Sequence, residues 1–131
     1  MEQMSRRMEA AGRALARLGE IAEKEELSEI EKDGFIQRFE FCFEILWKCG
    51  KDYLLSVHGL EAASPKKVIR LLREVGLFSD AEAEKALLMA DDRNMTVHTY
   101  DGDFANALVK RIYDYEILLR KWYEAMTETL K

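Results

Sequence analysis

The chain has 131 residues, 48% hydrophobic and 34% charged, a composition that excludes a disordered polymer and fits one globular domain over residues 1–131. One proline and seven glycines are too few for a sheet protein built on many tight turns, and helix formers dominate the rest. With 25 acidic against 20 basic side chains the net charge is −5, which argues against a protein that simply coats nucleic acid but allows a local basic groove.

Five helices are expected. Met4, Met8, Ala11, Leu15, Leu18 and Ala22 recur at four- and three-residue steps, the apolar stripe of an amphipathic first helix. A second stripe runs through Phe35, Phe39, Cys42, Leu46, Cys49, Tyr53 and Val57, widened by Phe43, Trp47 and Leu54, so this helix is central. It stops at His58-Gly59, where glycine can take the left-handed cap. A shorter third helix opens at Ser64-Pro65 and closes at Gly76. Ser79 with Glu82 forms a capping box for a fourth helix through Ala83, Leu87, Ala90 and Val97. Tyr100-Asp101-Gly102-Asp103 breaks the pattern, and Phe104, Leu108, Ile112, Tyr115, Leu119, Trp122 and Met126 make the last stripe. No alternating strand pattern competes. The expected fold class is all-α, an antiparallel up-down bundle of about five helices.

Cys42 and Cys49 stand two helical turns apart, about 10 Å, too far for a disulfide, and are read as buried free thiols in a reducing compartment. With no CxxC pair and two histidines, no metal site is expected. The residues from Met1 to Arg7 are charged and no apolar stretch of signal-peptide type follows them, and Phe41–Trp47 is interrupted by Glu44, so neither a signal peptide nor a membrane span is read and the expected location is the cytoplasm. Phosphate-binding loops, GxGxxG, HExxH, GxSxG and EF-hand patterns are all absent.

The unusual stretch is Asp91-Asp92-Arg93-Asn94-Met95-Thr96-Val97-His98-Thr99-Tyr100. On a continuous helix Asn94 and His98 form an i,i+4 pair, and Arg93 and Tyr100 nearly superimpose. Arg93 has no charged residue three or four positions away, which leaves its fork for a distant partner, and phosphate suits it. Two plainer readings stand beside this: His98 complements a helix C-terminus and bonds Asp101, and Arg93 pairs with a glutamate of the second helix. Asp91-Asp92 reads as a solvated face.

Arg93-Asn94-x-x-x-His98 resembles the R-polar-x-x-x-H motif of HEPN domains, small helical proteins many of which are metal-independent ribonucleases. The longer form ending at Tyr100 resembles HepT-type toxin subunits, partners of a minimal nucleotidyltransferase antitoxin. Other stretches resemble the nucleotidyltransferase substrate-binding proteins: Arg38-Phe39-Glu40-Phe41 through Glu44, Trp47-Lys48, Asp52-Tyr53-Leu54, Ser64-Pro65 through Val68-Ile69-Arg70, Gly76-Leu77, Asp92-Arg93-Asn94 and His98-Thr99-Tyr100. The likeness covers about residues 30–125; the first helix contributes only its amphipathic pattern.

Residue chemistry and resemblance agree on a mechanism. Metal-free RNA cleavage needs a base near neutrality, an acid for the leaving oxygen and positive charge at the phosphorus. His98 supplies base or acid, because imidazole ordinarily titrates near about 6.5. Arg93 supplies charge and donors, and Asn94 can fix the imidazole tautomer. The chain offers a single convincing histidine; a two-fold dimer would place two Arg93/His98 sets around one groove, and the resemblance implies such a composite site. Glu44 and Lys48 form a favourable i,i+4 pair, and the resemblance suggests that they support the site. Lys66, Lys67, Arg70 and Arg73 give the third helix a basic stripe, either a guide for nucleic acid or an acidic partner, or simply a solvated face. Trp47 and Trp122 read as core or dimer contacts, and His58 as a helix-end residue.

Phe41 and Phe43 point to different faces of one helix, so some aromatic surface should be covered by another chain: a homodimer at least is expected. Tyr100, among polar neighbours at the helix break, should be exposed; on residue chemistry its hydroxyl can bond a phosphate or the site arginine. The resemblance implies further that a cognate minimal nucleotidyltransferase, using ATP and Mg, transfers AMP onto it, while this chain itself needs no cofactor. The alternative function is a non-catalytic nucleotide- or substrate-binding subunit of a two-component nucleotidyltransferase.

Overall fold

The computed structural model describes residues 2–131, with side chains from Met4 onward; Met1, where the expected domain begins, lies outside the described residues. Along the chain come α1 (Glu2–Ala22), α2 (Glu29–His58), α3 (Pro65–Glu74), α4 (Asp80–Asn94), a 3₁₀ turn (Met95–His98) and α5 (Gly102–Leu130). No strand occurs among the described residues, and the architecture is the expected all-α bundle.

Arg7 meets Asp52 and Arg38 meets Glu20, so α1 and α2 form an antiparallel hairpin. Asp92 meets Arg111 and Lys85 meets Asp114, which sets α4 antiparallel to α5. α2 and α5 pack directly and run in the same direction, as Phe35 against Tyr113, Phe39 against Tyr115 and Phe43 against Trp122 follow one another along both helices. Trp122 is fully buried, with Phe43 and Phe78 edge-on to its ring. On α1, Met4, Ala11, Leu15 and Leu18 are buried, whereas Met8 and Ala22 are half-buried.

Local chemistry explains the helix starts. Ser79 and Glu82 form the expected capping box, and Ser64 caps α3 with Pro65 in its first turn. α2 starts earlier than its apolar stripe, at a capping box of Ser28 and Glu31. Lys24 pairs with Glu31 across the α1–α2 turn, and this ammonium, with the Ser28 backbone N–H, holds the Glu31 carboxyl down at about 2. Gly59 ends α2 in the left-handed conformation, φ 67°. Val57, expected on the core stripe, is exposed in this last turn.

Cys42 and Cys49 are buried free thiols, as expected. Burial pushes both up to about 12, with Glu116 acting further on Cys42 and Asp52 on Cys49, so both stay protonated at neutral pH.

Gly50 marks the closest approach of α2 to its neighbours. A Cβ there would sit 2.8 Å from Val68 Cγ1 and 3.3 Å from both Leu72 and Trp122. On an open helix face Gly→Ala stabilises by about 1 kcal/mol through propensity. Here overpacking against a stiff β-branched neighbour, about 1–3 kcal/mol, outweighs it. Gly50→Ala is expected to lower stability by about 1 kcal/mol in urea unfolding; a stabilised variant would show that the three helices part easily.

Candidate functional site

The site is built where α4 ends. Thr96, Val97 and Thr99 are β-branched and poor at continuing an α-helix, and the Thr96 hydroxyl competes for backbone, donating to the Arg93 carbonyl at 2.8 Å. The chain tightens into a 3₁₀ turn, with the Met95 N–H directed at the carbonyls of Asp91, Asp92 and Arg93. The helix expected through Val97 therefore stops at Asn94. The i,i+4 face shared by Asn94 and His98, and the superposition of Arg93 on Tyr100, do not form as α-helical geometry. Val97, expected on the core stripe, is 72% exposed, while Thr96 is buried.

The turn brings His98 to Tyr100. The two rings lie edge to face at 5.9 Å, and the Tyr100 hydroxyl stands 3.4 Å from His98 Nδ1. Donating there, the phenol would leave the imidazole proton on Nε2. Both residues are exposed, Tyr100 to 84%. The Asp101 carboxylate does not serve His98; it caps α5, accepting from the N–H groups of Asp103 and Phe104 at 3.0 and 3.3 Å. Asn94 makes no side-chain capping bond and is exposed.

Of the two openings that the sequence leaves for Arg93, a glutamate of α2 takes one. Arg93 Nη2 lies 3.9 Å from Glu44 Oε2, and Glu44 Oε1 lies 3.4 Å from Lys48 Nζ. The first separation is an ion pair but too long for a hydrogen bond, so the guanidinium keeps its donors. Its Nε is buried with no partner. The row Arg93, Glu44, Lys48 is thus assembled from α4 and α2.

The main correction concerns Asp92. Only Asp91 behaves as a surface residue, pairing with Lys66 at 2.6 Å. Asp92 is 16% exposed and accepts from Arg111 Nε and Nη2 at 2.7 and 2.9 Å and from the Tyr115 hydroxyl at 2.5 Å. Burial, then the Asp92 bond, pushes the Tyr115 hydroxyl well above its usual range, and Asp92 raises Arg111. Tyr115 in turn stacks on Phe39 of α2. Asp92, immediately before Arg93, therefore ties the end of α4 to α5 and, through Tyr115, to α2. Arg111 carried no mark in the sequence, and Tyr115 was read only as part of the last apolar stripe.

On α3, Lys66 is taken by Asp91 while Lys67, Arg70 and Arg73 remain exposed. Trp122 is core and Trp47 half-buried; the indole N–H of each is buried without a partner. His58 is exposed at the end of α2, edge-on to Tyr53. No group of three His, Cys, Asp or Glu side chains suited to a metal ion exists among the described residues, and none of their helices is long and apolar enough to cross a membrane.

Comparison with known proteins places the chain in a family. Over 88 residues the chain is 34% identical to the Haemophilus influenzae protein named "Probable ribonuclease HepT", a match covering 64% of this chain and 59% of that one. The chain thus spans under two-thirds of that relative. A crystal structure of a Thermus thermophilus protein superposes with a TM-score of 0.86 at 50% identity, covering 88% of this chain and 98% of the other. The model of the nucleotidyltransferase substrate-binding-protein-like proteins matches residues 6–128. With nearly its whole length inside that match, the chain belongs to the nucleotidyltransferase substrate-binding-protein-like family.

Proposed function

We propose that the chain is a HEPN-type toxin subunit, a metal-independent endoribonuclease of the cytoplasm whose cognate nucleotidyltransferase neutralises it by adenylylating Tyr100. The observation that carries this reading is the exposed Tyr100–His98 pair set one 3₁₀ turn beyond Arg93. The relative named as a ribonuclease supports it.

In the proposed reaction the ribose 2′-hydroxyl gives its proton to an imidazole and attacks the adjacent phosphorus. The bond to the 5′-oxygen breaks, that oxygen takes a proton, and a 2′,3′-cyclic phosphate remains. His98 serves as base or acid, and Arg93 binds the phosphoryl oxygens as their charge grows. Glu44 and Lys48 steer the guanidinium, and Asn94 flanks the site. A homodimer would supply the second histidine. The basic residues Lys67, Arg70 and Arg73, with Lys66, offer a surface for RNA or for the nucleotidyltransferase.

Adenylylation would join the Tyr100 oxygen to the α-phosphorus of ATP and expel pyrophosphate, with Mg and the base supplied by the partner. The added phosphate would sit beside His98, blocking RNA by charge and volume. Incubation with the nucleotidyltransferase, ATP and Mg should add one adenylyl mass per chain at Tyr100 by mass spectrometry. No adduct, or one elsewhere, would defeat this part.

A second reading is a non-catalytic nucleotide- or substrate-binding subunit. The Glu44–Arg93 contact and the net charge of −5 favour it, since both weaken attraction for RNA. An RNase assay on the free chain in EDTA decides between the two.

A further inference from the structure

Away from the turn, the α1–α2 hairpin forms a groove of about 210 Å³ lined by Ala10, Arg13, Ala14, Arg17, Arg38 and Phe41. Ala10 and Ala14 are small and leave its floor open. Arg13 and Arg17 are exposed, and neither guanidinium has a partner among the described residues. Arg38 is fixed in place, Nη1 donating to the Arg17 carbonyl at 2.6 Å and to Glu20 at 3.2 Å. Phe41, 60% exposed, closes one side. With Arg38 paired to Glu20, the unpaired Arg13 and Arg17 beside an exposed ring make a local positive field that the net charge of −5 conceals.

Position ties the groove to the site. Arg38, Phe41, Glu44 and Lys48 follow at three- and four-residue steps along one face of α2, and Glu44 is the residue that meets Arg93. The step from Phe41 to Glu44 is about 4.5 Å along the axis. A strand lying across Arg93 can therefore continue onto Phe41 and the arginines without leaving this face.

We infer that the Arg13/Arg17/Arg38/Phe41 groove holds the single-stranded RNA flanking the cleavage point, with Phe41 stacking on a base and Arg13 and Arg17 pairing with phosphates. Aromatic stacking beside guanidinium contacts is the general chemistry of sequence-tolerant single-strand binding. Charge complementarity favours this occupant over a second copy of an acidic chain. The inference rests on the ribonuclease reading of the neighbouring site.

The test uses the full chain and a fluorescein-labelled single-stranded RNA of about twelve nucleotides, 2′-O-methylated so that it cannot be cut, followed by anisotropy. Arg13→Gln with Arg17→Gln should weaken binding about tenfold and reduce the salt slope of log K by about 1.4, two phosphates at about 0.7 each. Phe41→Leu, which keeps the apolar bulk, should weaken binding about fivefold with the slope unchanged. No binding by the parent chain, or equal affinity and slope in the groove variants, would overturn the inference. So would dissociation of a dimer by Phe41→Leu with RNA affinity unchanged, since the groove would then be an interface between copies. RNA cleavage that survives His98→Ala removes the ribonuclease reading alone, and groove variants that bind normally remove the groove alone.

Discussion

Replacing His98 with alanine is expected to slow RNA cleavage by about 10²–10⁴-fold, the range for losing a general acid–base group, with the fold intact. Stability should change by less than about 0.5 kcal/mol, because His98 is exposed and its one side-chain contact is the long approach to Tyr100. A comparable loss of unfolding free energy would mean that the imidazole props up the turn instead of moving a proton. Tyr100→Phe removes that contact while leaving the imidazole in place. It should therefore retain most of the cleavage yet resist neutralisation by the nucleotidyltransferase. Cleavage at the parent rate in His98→Ala would move the chemistry elsewhere.

Asp92→Ala is expected to cost about 2–3 kcal/mol in urea unfolding. The Tyr115 hydroxyl, on a residue only 4% exposed, would lose its acceptor. Arg111, with its side chain 42% exposed, would recover water and so holds the loss below that of a fully buried ion pair. Tyr115→Phe, which leaves Asp92 with Arg111, should cost only about 1 kcal/mol. The same Asp92 change should lower cleavage at least tenfold in the folded protein, because it frees the turn of α4 that carries Arg93. A variant as stable as the parent would show that the α4–α5 clamp contributes nothing.

These two residues mark the reach of sequence reading. Helix starts were legible because their chemistry is local: Ser79 with Glu82 and Ser64 with Pro65 are complete within four residues. Ser28 with Glu31 carried the same signal and went unused, so the sequence reading gave α2 an apolar stripe from Phe35 but no start. The end of α4 misled because apolar spacing continues to Val97, while β-branching and the Thr96 hydroxyl turn the backbone to 3₁₀ after Asn94. Asp92 was hidden for another reason. Its partners stand 19 and 23 residues later, on a helix whose rotation no local pattern gives. The Arg93–Glu44 pair was one of two readings left open, and only the packing of α4 on α2 selects it. Arg13 and Arg17 carry no local signal in the sequence, and only the α1–α2 hairpin gathers them with Arg38 around Phe41.

The central claim is a 2′-hydroxyl attack assisted by Arg93 and His98 without a metal. Its most direct measurement follows the purified chain in EDTA with a defined single-stranded RNA and identifies the new ends by mass spectrometry. The account predicts undiminished cleavage with 2′,3′-cyclic phosphate and 5′-hydroxyl ends, and none where the attacking ribose is replaced by deoxyribose. Cleavage abolished by EDTA, 5′-phosphate ends, or cutting at a deoxyribose would contradict it.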